Sequence, residues 1–158
     1  MKFENVHVDR MTTTSMIHLA ACVFQCVKLS GSVGSVMTTP PSHSISAEAR
    51  SLFAESIKEQ YRDIEWALDI SEAEFVSADF YYVPGDLVRR DEETQFLLHR
   101  EKLANVEVGK LGQYAQIAVS RFDSSPFDSI VAVAPKKAND FPEILADLQE
   151  LRRLEVAE

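Results

Sequence analysis

Cysteine is nearly absent: only Cys22 and Cys26 occur, four residues apart inside an apolar run. On a helix both thiols would leave neighbouring turns of one face, a poor geometry for a bridge. The sequence therefore predicts free core thiols, not a disulfide framework. Five glycines and six prolines leave little material for long linkers. No apolar stretch reaches the ~20 residues that a membrane helix requires. Leu19-Ala20-Ala21-Cys22 has the letters of a lipoprotein cleavage box. Glu4, Asp9 and the polar run Thr12 to Ser15 precede it, which is wrong for an export signal, so the expected compartment is the cytoplasm. No G-x-S-x-G is present, and Gly31-Ser32-Val33-Gly34 lacks the lysine of a phosphate loop. No cofactor is implied.

Bases are also in short supply. Sixteen Lys and Arg face 25 Asp and Glu, for a net charge of −9. The imbalance is local: residues 1–45 carry +1, 46–107 carry −8 and 108–158 carry −2. The basic doublets Arg89-Arg90, Lys136-Lys137 and Arg152-Arg153 are too scattered for a phosphate-binding face, so direct binding to nucleic acid or to an anionic membrane is not expected. A basic protein partner fits the field better.

What is present is ordinary material for one domain of 158 residues, with 46% apolar side chains. Residues 3–9 read as a short strand. Met16 to Leu29 reads as an apolar helix capped by Thr14 or Ser15, with a strand reading open over 22–29. Residues 30–46, rich in Ser, Thr, Gly and Pro, read as a connector, with an edge strand left open at Val33 to Met37. Ser46 caps a long helix through Asp69, with Phe53, Ile57, Tyr61, Ile64 and Leu68 as its apolar stripe. Ser71 to Glu74 has capping-box letters, but a strand over 78–83 is favoured. Pro84-Gly85-Asp86 is a turn, and a helix over 91–104 follows. Gln113 to Phe122 alternates and pairs with Ser129 to Ala134 as an antiparallel hairpin. Asp140, Pro142 and Glu143 open a last helix near 142–156. The expected fold is a single α+β domain over 1–158, an antiparallel sheet of about four to five strands covered by three to four helices. No internal repeat is seen.

Three functional readings follow. The first is a non-enzymatic inhibitor, immunity factor or adaptor. It would meet a basic protein through Asp63, Glu65, Asp69, Glu72, Glu74 and Asp79, with Trp66, Tyr81 and Tyr82 as flanking rings. The second is a small enzyme or metal protein using His18 and Cys22, which sit at i and i+4 on a helix, with a distant histidine. His7-Val8-Asp9 has the H-x-D spacing of a non-haem iron site, but too few strands surround it for the usual barrel. The third is a structural subunit with the 16–29 segment buried between copies. The chemistry readings are the weaker, so the first is preferred and no metal or catalytic residue is assigned.

Overall fold

In a computed structural model that describes all 158 residues, the first strand and the third lie parallel, 21 residues apart in sequence. The first is β1 (Lys2–Met11), the second β2 (Ile17–Ala20) and the third β3 (Val23–Thr39). β1 pairs with the first half of β3, Lys2 opposite Val23 and Val8 opposite Leu29. β2 pairs with its far end, Ile17 opposite Val36 and Ala20 opposite Thr39. Ala21 N–H donates to Thr39 O at 2.8 Å and Val23 N–H donates to Met1 O at 2.9 Å. Two residues of chain cannot run back along an extended β3, since each residue spans at most ~3.6 Å. The strand must therefore curl, and residues 1–21 form one closed winding on which β3 lies as the next.

The corners of that winding stand at left-handed residues. Asn5 and Cys26 have φ of 55°, and Arg10 (55°) lies one winding from Gly31 (66°). Only Gly31 is a glycine at these four corners. A Cβ there would come within 2.9 Å of Arg10 Cγ, so crowding and backbone both favour glycine.

After Thr39 the chain leaves the winding through α1 (Ala47–Tyr61) and returns as β4 (Leu68–Asp79), which stacks parallel on β3 with Val27 opposite Leu68 and Val33 opposite Phe75. β5 (Val88–Arg89) then covers the start of β4. Equivalent positions build apolar ladders through the interior: Val6, Val27, Leu68 and Val88 form one, Met11, Val33 and Phe75 another. Phe3 stacks on Phe24 with ring centroids 5.6 Å apart. Each fully buried rung contributes about 1.5–3 kcal/mol of transfer free energy.

The rest of the chain closes the far end. β6 (Gln95–His99) pairs antiparallel with β7 (Ser129–Val133), and α2 (Gln113–Ser120) and α3 (Phe141–Arg153) pack against that ribbon. Two apolar cores result. One fills the windings and takes in Ile57 and Tyr61 of α1. The other holds Phe96, Leu98, Ala115, Phe122, Leu148 and Leu151.

The fold is α+β, but its main sheet is mostly parallel, which corrects the antiparallel sheet expected from the sequence. Antiparallel pairing is confined to the β6–β7 ladder and two isolated bridges, Phe80 with Val131 and Leu98 with Ala157. Residues 16–29 form β2 and the start of β3, not a helix, and residues 30–39 of the expected connector are the rest of β3. Ser46 does cap α1, its Oγ accepting from Ala49 N–H at 3.1 Å. The helix stops at Tyr61, so Ile64 and Leu68 belong to the turn and to β4. The capping-box letters at 71–74 lie within β4, and residues 91–104 give a turn, β6 and a 3-10 segment. Gln113 to Ser120 is helical because Ala115, Ala118 and Val119 bury at helical spacing, a period that coexists with the alternation of residues 115, 117 and 119.

Candidate binding cleft between the windings and the cap

Where the last stretch of β4 meets the cap, a cleft of about 770 Å³ opens. Its floor comes from Met37, residues 76–79 and β7, and its walls from α2 and the start of α3. Thirteen of its 20 lining residues are hydrophobic, so its surface favours apolar matter over water. Val76 on one rim and Ile117 on the other remain 47% and 43% exposed. Ile117 is there because Tyr114, Ile117, Ala118 and Arg121 recur at three- and four-residue spacing along and just past α2.

The polar groups of the cleft are few and face one another. Asp79 Oδ2 lies 2.5 Å from Arg121 Nε, and the Arg121 guanidinium carbon sits 5.0 Å from the centre of the Tyr81 ring. Burial pushes the Asp79 carboxyl up to about 6, against the pull of Arg121 toward the ionised form. The approach is close but not well directed, and Arg121 Nε finds no aligned hydrogen-bond acceptor. The Tyr114 hydroxyl donates to Asp140 Oδ2, and that bond pushes the pKa of the phenol up. Asp140 stands at the start of α3, yet its side chain serves Tyr114 and leaves the helix uncapped. Lys137 Nζ reaches Ser32 Oγ at 2.5 Å and Glu74 Oε2 at 3.7 Å, and its main-chain N–H donates to Phe75 O at 3.0 Å.

The partner-binding residues expected from the sequence do not form one surface. Tyr81 and Tyr82 are only 6% and 3% exposed, Tyr82 in the first core and Tyr81 in the second. They were expected on a strand facing both ways, but they stand in the turn after β4. Trp66 is half-buried under Arg89, whose guanidinium carbon lies 4.2 Å from the ring centre. Asp69, Glu72 and Glu74 do share the outer side of β4. Glu72 pairs with Lys28 at 2.8 Å, Glu74 faces Lys137, and Asp69 Oδ1 accepts from Ser71. Asp63 and Glu65 are exposed in the loop after α1. Of the whole set, only Asp79 lines the cleft. Arg121, Tyr114, Ile117 and Lys137 were not assigned to any site from the sequence. The α2 spacing was the one signal for three of them.

His18 and Cys22 lie on a strand and at a winding corner, not on adjacent helical turns. The Cys22 thiol contacts Ala20 O at 3.4 Å, and burial pushes its pKa up, away from a reactive thiolate. No three His, Cys, Asp or Glu side chains converge as metal ligands. His7 and Asp9 do approach a common point, the Ser30 hydroxyl, at 2.9 and 3.1 Å. Ser30 donates its one proton to Asp9, so the imidazole Nε2 must itself be the donor to Ser30 and cannot serve as that hydroxyl's base. No helix is long and apolar enough to cross a membrane. No protein-family model matches this chain, and no curated protein or solved structure matches it.

Proposed function

We propose that this chain is a non-enzymatic protein-binding module whose site is the cleft between the windings and the cap. The supporting observation is an apolar cleft with two uncovered aliphatic rims, Val76 and Ile117, around a half-buried Asp79–Arg121 pair. Such a surface accepts one or two apolar side chains of a partner, while the ion pair and Tyr114 offer polar contacts that fix their orientation. The polar groups already engage one another, an arrangement suited to holding a ligand more than to moving its atoms. The net charge of −9 favours basic residues around the apolar anchor of that partner. The contact therefore moves from the acidic and aromatic face expected in the sequence to the cleft.

Selection of peptides from a random library on the immobilised chain tests this. Peptides with aliphatic or aromatic anchors and basic flanks are expected to be enriched. Val76→Arg with Ile117→Arg, both on the rim, is expected to weaken them at least about tenfold with thermal unfolding unchanged, since two apolar contacts to the partner's anchor are replaced by charges that repel its basic flanks, and tenfold is ~1.4 kcal/mol. Enriched peptides that bind parent and double variant alike would sink the proposal.

A further inference from the structure

We infer that a second copy of this chain docks on the outer edge of β1, antiparallel to it, with a two-fold axis at His7. β1 and β2 pair with β3 alone, so the other edge of the first winding has no strand on it. The side chains report the missing layer. Phe24, Val27, Leu29 and Val33 of the second winding are 4%, 4%, 8% and 0% exposed, whereas their register partners Phe3, Val6, Val8 and Met11 are all left partly exposed. Phe3 has a ring stacked on one face, by Phe24.

The occupant follows from the order of residues along this edge. Inward-facing Phe3, Val6, Val8 and Met11 lie four and one residues before His7, then one and four after it. The in–out pattern from 3 to 11 reads the same in both directions. A two-fold axis at His7 therefore sets Val6 against the partner copy's Val8, and Phe3 against its Met11, inward side on inward side. The same register sets Glu4 against the other copy's Arg10, and Asn5 against its Asp9. Within one chain Glu4 is held by Lys2 at 3.4 Å and Arg10 by Asp9 at 3.1 Å, with side chains 49% and 78% exposed, so both are available for exchange. A strand from an unrelated protein would match this palindrome by accident, whereas a copy matches it by symmetry. The left-handed corners at Asn5 and Arg10 turn the edge away on both sides, so the close contact about the axis is the Val6–Val8 segment and its flanks.

Sedimentation of the full chain at low salt, over a range of concentrations, is expected to show a monomer–dimer equilibrium. Glu4→Arg places like charges at both symmetric contacts, as does Arg10→Glu. Each variant alone is expected to weaken the dimer about tenfold, because both symmetric ion pairs become like-charge contacts. An equimolar mixture of the two variants restores both pairs and is expected to dimerise like the parent. Unchanged circular dichroism of each variant separates loss of association from loss of fold. A monomeric parent, single variants that dimerise like the parent, or a mixture no tighter than its components would each overturn the inference.

Discussion

The windings and the cap each enclose an apolar core, but they differ in how that core is ordered and supplemented. In the windings, one apolar position stacks on its equivalent in the next winding, so stability is spread along ladders such as Met11, Val33 and Phe75. In the cap, a few polar side chains reach across long sequence distances to specific main-chain groups. Arg100 donates to Phe122 O, Ser125 O and Phe127 O at 2.8–3.1 Å, fixing the segment between α2 and β7. Gln95 spans the two regions, donating to Ile70 O at 2.9 Å and accepting from Asp91 N–H at 2.9 Å.

Truncating a ladder should have the largest effect. Phe75 is fully buried against Val33 and sits 5.5 Å from the Phe80 ring, so Phe75→Ala is expected to cost about 3–5 kcal/mol in a denaturant titration. A loss under about 1 kcal/mol would show that the ladders do not carry the windings. Next comes Arg100→Ala, expected to cost about 2 kcal/mol because three carbonyls lose a charged donor whose side chain is partly solvated. Arg100→Lys should restore little of it, since an ammonium cannot reach three acceptors from one plane.

The Asp79–Arg121 pair adds a pH-dependent contribution of similar or smaller size. The folded carboxyl titrates at about 6, above its ordinary value of 3.8, so its contribution is complete below about pH 4 and is lost as pH rises through 6. Unfolding free energy measured from pH 4 to 7 should carry a falling component of order 2 kcal/mol. That component should vanish in Asp79→Asn. A pH profile identical in the two proteins would exclude a raised carboxyl. Smallest of all is Phe53→Ala. Phe53 is 49% exposed on α1, unlike Ile57 four residues on, so a change within about 0.5 kcal/mol is expected against about 2–4 for Ile57→Ala.

Local signals were readable and distant ones were not. Ser46 as the cap of α1 and the proline-led start of α3 stand within a turn of the groups they act on. The parallel sheet had no such signature, because its partners are 21 or 41 residues apart and only Gly31 marks a corner with glycine. Asn5, Arg10 and Cys26 adopt left-handed backbone that nothing in their neighbourhood announces. The acidic run was legible as charge, but its neutralisation by Lys28, Lys137 and Arg121 needed the fold. For the cleft, residues from 37 to 148 must meet, and only the α2 spacing hinted at one wall.

The detour through α1 bears on how the molecule assembles. Partners in the first closure are separated by 21 residues and in the second by 41, yet doubling a loop adds only ~0.6 kcal/mol of closure entropy. The stack therefore accepts an excursion of this length at little thermodynamic penalty, and the burden falls on kinetics. The N-terminal 39 residues can zip early, whereas docking of β4 must wait for a more distant encounter. Until it arrives, the ladder edge of β3 stays uncovered, which makes that interval the one most exposed to misassociation.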